Sequence, residues 1–235
     1  MSDTHGRTDT HGQTDTHGRT DTHGQTDTHG RTDTRGRADT RGRILDATLA
    51  CLVRHGYAGT TARAIAQVGG FAPGVLYYHF TDLDDVLVAA LAHTCEARVQ
   101  RYREQLSGVD RAGRAVEILR ELYLEDTEVG HISAVQELYA GARPGSRLAA
   151  QLTLETRRWE ALAAEVLTTV LRGKPFAGLV RMPVLARAAV AFYLGAETVA
   201  HLDDDSSRVL EFFDQAARLA GYFDRVPRLR RSTPG

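Results

Sequence analysis

From Arg41 onward the chain carries apolar side chains at helical spacing, whereas the residues before it carry almost none. Ile44, Ala47, Thr48, Cys51 and Leu52 stand at i, i+3, i+4, i+7 and i+8, one face of an amphipathic helix ending at Gly56. Thr61 is placed to cap a second helix whose inward side is Ile65, Ala66 and Gly69. Gly69-Gly70 breaks that helix, and a third, short one begins at Pro73 and reaches Phe80. Longer helices are predicted over 83–106, 111–125, 130–141, 146–171, 183–202 and 206–223, with no strand pattern. Trp159, Leu162, Val166 and Val170 mark one stripe, and Val209, Phe212, Phe213, Ala216, Ala217 and Ala220 another. Pro144, Gly145, Pro175 and Pro183 punctuate the loops. The expected fold is all-α, a small three-helix unit followed by a larger helical domain.

Residues 2–43 are seven tandem hexapeptides, T-D-T-H-G-R/Q drifting to A-D-T-R-G-R. With so few apolar side chains, nothing offsets the entropy of ordering them. Disorder is therefore expected for residues 1–37, and residues 227–235, with Arg228, Arg230 and Arg231, are expected to fray. The five histidines of the repeats (His5, His11, His17, His23 and His29) could gather around a metal ion, so a metal-binding or metal-sensing protein is the alternative reading. A repeat with no role explains them more simply and is the preferred reading.

Charge changes the picture only locally. The 29 Lys and Arg nearly balance the 30 Asp and Glu, so any nucleic-acid surface is confined to one region. Between Arg41 and Phe80 four Arg stand against one Asp, a net charge of +3. Cys51 and Cys95 both fall inside helical patterns without C-x-x-C spacing, which argues against a disulfide framework or a cysteine metal site. The N-terminus lacks an apolar stretch of signal-peptide type, and the most apolar segment, 182–200, is interrupted by Arg187 and Glu197. It reads as a packed helix, and a cytoplasmic protein without a membrane span is expected. No nucleophile elbow, phosphate loop or H-E-x-x-H motif is present, so neither an enzyme nor a bound cofactor is expected. Asp203-Asp204-Asp205 reads as a capped loop between helices.

The chemistry lies in the third short helix. Helical geometry turns Leu76 and Phe80 inward together with Pro73, and turns Gly74, Val75 and Tyr78 outward, with Tyr77 and His79 on the flanks. Phe71 and Leu76 are spaced as a hydrophobic staple, and Pro73 has its φ preset for a helix start. Small and aromatic residues on the outer side suit insertion into a major groove, where they reach base edges and thymine methyls. The flanking hydroxyl and imidazole can reach phosphates.

The segment resembles the TetR (tetracycline-repressor-like) family of transcriptional regulators. The resemblance rests on Ile44-Leu45, Gly56-Tyr57, Thr61, Ile65-Ala66 and the run from Gly69 to Leu76-Tyr77-Tyr78-His79-Phe80. It implies a DNA-binding domain over 38–98, with the helix-turn-helix at 61–80, and a dimerisation and effector domain over 99–226. By position it makes Gly74, Val75, Tyr77, Tyr78 and His79 the reading helix. Thr61 becomes a phosphate contact, a structural cap or both, and Arg63 a base reader or an ordinary solvated side chain. Two departures stand out. The usual serine cap before the reading helix is Ala72, and the usual lysine after it is Leu83 among Asp82, Asp84 and Asp85. A shallower salt dependence follows from the missing lysine.

The family further implies a homodimer built on the last two long helices, a palindromic double-stranded DNA operator, and a small-molecule effector that releases it. Tyr123, His131, Glu137, Trp159, Phe192 and Tyr193 combine aromatic area with polar tips and are the candidate effector pocket, although each also suits a core or an interface.

Overall fold

The computed structural model describes residues 28–227 other than Phe176, Val180 and Asp204, with side chains from Arg37 onward. Two compact units divide the chain, Met1–Ala38 and Asp39–Gly235. Of the first, only the end is described, in the opening stretch of helix α1; the cores and both candidate sites belong to the second. The helices are α1 (Thr28–Gly59), α2 (Ala62–Gly69), α3 (Pro73–His79), α4 (Leu83–Gln105), α5 (Ala112–Glu128), α6 (His131–Gly141), α7 (Arg147–Leu171), α8 (Met182–Asp203) and α9 (Ser207–Arg225), with a 3-10 turn at Ala177–Leu179. No strand occurs among the described residues. The backbone of α1 reaches back to Thr28, into the stretch that composition reads as disordered. Residues 1–27, the side chains of the five repeat histidines, and 228–235 lie outside the described residues.

Local chemistry explains the breaks. At Gly56 the backbone of α1 turns to φ 67°, ψ 179°, a left-handed region that costs little only for glycine. A Cβ there would also stand 3.1 Å from a Glu137 carboxylate oxygen. Asp82 caps α4 by accepting the Asp85 N–H at 2.8 Å, and Ser146 caps α7 by accepting the Ala149 N–H at 3.1 Å.

Packing joins the two expected domains more tightly than their sequence boundary suggests. Ile44, Leu45, Cys51 and Leu52 of α1, Ile65 of α2 and Leu76 of α3 share one core with Val86, Leu87 and Leu91 of α4. That core continues into Leu138 of α6 and Leu148 and Leu152 of α7. A second core gathers Val99 and Tyr102 of α4 with Ile118 and Leu122 of α5 and Leu162 and Val170 of α7. Helix α4 thus runs unbroken through the 98/99 boundary and serves both cores. A third cluster, Tyr123, Ile132, Ala200, Val209 and Phe213, ties α5 and α6 to α8 and α9.

Helix α8 is packed on one side and leaves much of its apolar surface uncovered. Only Ala186, Glu197 and Ala200 are buried on it. By length and apolar content it could cross a membrane, yet Arg187 interrupts it and it packs against α7 and α9. Val184, Phe192, Val199 and Leu202 of α8 are exposed, as are Phe212, Leu219 and Tyr222 of α9.

Candidate DNA interface and ligand cavity

The turn into α3 is built by two glycines with different duties. Gly70 takes φ 66°, ψ 36°, the left-handed conformation that ends α2. Gly69 is needed for closeness: a Cβ there would stand 2.1 Å from the Phe71 ring and 3.0 Å from the Ala47 Cβ. Thr61 caps α2, its Oγ1 accepting the Ala64 N–H at 3.2 Å. Ala72 precedes α3 with no side-chain cap, and Pro73 opens the helix.

Helix α3 is anchored from behind by Leu76 and Phe80, both buried, and the Arg41 guanidinium lies 5.0 Å from the Phe80 ring centroid. On the other side Gly74 is exposed, Tyr77 is 57 % exposed and Tyr78 66 %. Thr61 and Arg63 are also exposed on α2, and His79 is half-buried with its ring edge-on to Tyr78 at 5.2 Å. Two placements differ from expectation. Val75 is half-buried against the core, and Pro73 is exposed. In a helix of only seven residues, with Pro73 in its first turn, exposure does not follow ideal wheel positions. Its outward side is therefore Gly74, Tyr77 and Tyr78, with Val75 turned partly inward.

Acidic residues next to α3 are held in place. Arg147 of α7 donates to both Asp82 carboxylate oxygens, at 2.7 and 2.8 Å. The Asp85 N–H and the Arg147 charge together hold the Asp82 carboxyl below its usual range. Further back, the Tyr57 N–H donates to Glu137 Oε2 at 2.7 Å, and Glu137 Oε1 lies 3.0 Å from His201 Nε2 of α8.

The second site is a cavity of about 570 Å³ walled by α4 to α9, within the range of drug-sized pockets. Tyr123, Trp159, Phe192 and Tyr193 line it as expected. His131 and Glu137 do not, because the cavity side of α6 is Ile132, Val135, Gln136 and Tyr139. Glu137 faces the Tyr57 turn instead, and His131 Nδ1 lies 3.7 Å from Asp126. Sequence reasoning missed Arg98, Tyr102, Glu155 and Glu197 on the wall. A signal existed for Arg98, since Leu91, Cys95, Arg98 and Tyr102 recur at i, i+4, i+7 and i+11 on one helical face.

Buried charges tie this wall together. Asp126, wholly buried, accepts from Arg98 Nε at 2.6 Å and Tyr102 Oη at 2.9 Å, and also from Arg101. Burial works to raise its pKa, but the nearby His131 imidazole, the Arg98 charge and the bonds from Arg98 and Tyr102 prevail and hold it at about 2. Burial pushes the Cys95 thiol up to about 11, which leaves it a neutral, unreactive thiol near neutral pH. Cys51 and Cys95 are both free and buried. Glu197, 4 % exposed, has its pKa raised by burial, although the phenols of Tyr123 and Tyr193 and the Arg98 charge oppose that.

Helices α2 and α3, joined by the Gly69-Gly70 turn, have the arrangement of a helix-turn-helix, mounted on a helical domain with an apolar cavity. Residues 44–90 match the family described as bacterial regulatory proteins, tetR family. The HTH-type transcriptional regulator UidR of Escherichia coli K12 is 28 % identical over 110 residues, 47 % of this chain and 55 % of that protein. The chain thus matches about half the length of this curated relative. The fatty acid degradation regulator FadR from Bacillus halodurans shares the fold with a TM-score of 0.63 at 19 % identity, covering 76 % of this chain and 96 % of that one. A TetR transcription regulator from Haloarcula marismortui does so with a TM-score of 0.63 at 20 % identity, covering 80 % and 97 %.

Proposed function

We propose that the chain is a cytoplasmic, homodimeric transcriptional repressor that reads a palindromic DNA operator through α3 and releases it when a small molecule fills the cavity. The observation that carries this reading is the exposed Gly74-Tyr77-Tyr78 side of a helix whose Leu76 and Phe80 are locked into the core. Exposed aromatic side chains on a rigid short helix are costly to leave in water and gain by packing on base edges and sugar. His79, Thr61 and Arg63 flank that side and contribute phosphate or guanine contacts, and Val75 supports the helix and brings only its exposed part to the groove. Two heads at net +3 each supply a local positive surface on a nearly neutral protein.

Dimerisation through α8 and α9 is supported by the apolar side chains that both helices leave uncovered, Leu202, Leu219 and Tyr222 among them. The two reading helices then enter successive major grooves roughly 34–36 Å apart. An effector releases DNA by preferring the other spacing, which requires unequal affinity for the two states. Glu137 offers a mechanical route, since it links the Tyr57 turn to His201 of α8.

The test is operator binding by Tyr77→Ala and Tyr78→Ala, measured on DNA upstream of the chain's own gene. Each variant is expected to bind at least tenfold more weakly, with the helical circular-dichroism signal and melting temperature unchanged. Normal binding by both variants rejects the docking of α3. Gly74 gives a sharper probe, because a Cβ there meets nothing within 4 Å. Gly74→Ala should raise stability by up to about 1 kcal/mol, yet weaken operator binding if the groove approaches the backbone. A gain in stability with unchanged DNA affinity places the groove elsewhere.

A further inference from the structure

Among the described residues the cavity wall carries three charged side chains, and one of them has no ion-pair partner within 4 Å. Arg98 is paired with Asp126 at 2.6 Å, and Glu155 with Arg158 at 3.1 Å. Glu197 has no ion-pair partner among the described residues, is almost wholly buried, and its Oε1 has no hydrogen-bond partner. A buried polar atom left unsatisfied costs free energy, and a buried carboxylate without a cation costs more. Such a group is retained at a cost that an arriving ligand can remove.

The surroundings specify the ligand's chemistry. Tyr193 stands one turn before Glu197 on α8, and Tyr123 faces both from α5. The Tyr123 and Tyr193 rings are edge-on at 6.4 Å, and the Phe213 ring lies 5.3 Å from Tyr123. Across the cavity, the Trp159 ring already holds the Arg98 guanidinium 5.3 Å from its centroid. Aromatic faces around a buried carboxylate favour cations through both the ring quadrupole and the ion pair. Almost all the remaining wall is apolar, so the bulk of the ligand must be hydrophobic.

We infer that the cavity takes a lipophilic monocation, an aromatic or aliphatic body carrying one amine, quaternary ammonium or equivalent centre, with its positive charge beside Glu197. This deepens the effector reading of the cavity and rests on it for any regulatory consequence. The carboxylate supplies the missing counter-charge to the ligand, and the ligand satisfies the orphaned oxygen. An anionic ligand of the same shape would meet Glu197 as a repulsive, desolvated charge.

Tetraphenylphosphonium and tetraphenylborate provide that comparison, since they share a shape and differ in the sign of their charge. Trp159 is the sole tryptophan and lines the cavity, so its fluorescence reports occupancy in the full-length chain. Tetraphenylphosphonium is expected to bind at least tenfold more tightly than tetraphenylborate. In Glu197→Gln, which keeps the size and the polar tip, that preference should fall at least tenfold. The unmutated chain carries the decisive comparison, so a Glu197→Gln variant that failed to fold would leave it intact. Equal or tighter binding of the anion, no binding of either ion, or a preference that persists in Glu197→Gln overturns the inference. Operator binding by the ligand-free chain is scored separately. Its absence would sink the regulator reading and leave the cavity result standing, whereas its presence without cation binding would do the reverse.

Discussion

Asp126→Ala is expected to destabilise the fold by about 3–5 kcal/mol, the cost of leaving buried charge uncompensated. Asp126 is wholly buried and accepts from Arg98, Arg101 and Tyr102, and Arg98 itself is only 7 % exposed. Removing the carboxylate deprives the Arg98 guanidinium, between α4 and α5, of its ion-pair partner and leaves it among the rings of Trp159, Tyr102 and Tyr193. Urea or thermal unfolding of the two proteins measures the difference. A loss below about 1 kcal/mol would mean that the arginines find water or another acceptor, and the network would not be structural. The same carboxyl predicts a pH signature. Its folded pKa of about 2 lies below the ordinary 3.8. It therefore stabilises the fold fully above about pH 4 and loses that contribution, roughly 2–3 kcal/mol, as pH falls toward 2. Asp126→Ala should flatten this part of the stability profile.

Leu76→Ala is expected to cost about 2–5 kcal/mol and to abolish operator binding. Leu76 is completely buried and is the side chain that fastens α3 to α1, α2 and α4. Its core runs on through α4 to Leu138, Leu148 and Leu152, so the damage should not stay in the head. Calorimetry should show one transition, shifted downward as a whole. Two separated transitions, with only the lower one moved, would show that the head unfolds on its own. Operator affinity equal to that of the unmutated chain would show that α3 keeps its seat without this anchor.

Much of the architecture was legible in the sequence because its punctuation is chemical. Asp82 and Ser146 mark helix starts by capping, Gly70 marks an end by its left-handed backbone, and the helices from α4 to α9 fall within a few residues of their predicted bounds. The seating of α3 was legible because Leu76 and Phe80 fix its inner side. Val75 and Pro73 were misplaced because an ideal wheel describes a helix of only seven residues poorly. The cavity was half legible. Tyr123, Trp159, Phe192 and Tyr193 announce themselves as aromatic, whereas Arg98 and Glu197 read as solvated charges until tertiary packing buries them. Asp126 shows why: nothing in the sequence near it indicates that Arg98, Arg101 and Tyr102, a helix away, close around it.

The unbroken passage of α4 through both cores bears on how such a protein can be recombined. A chimera spliced at residue 98 or 99 would set its seam in mid-helix, between side chains that answer to different neighbours. To transplant the three-helix head onto another helical domain, the donor fragment must bring the facing sides of α6 and α7 as well, so that under the proposed function specificity for DNA would travel with part of the effector domain.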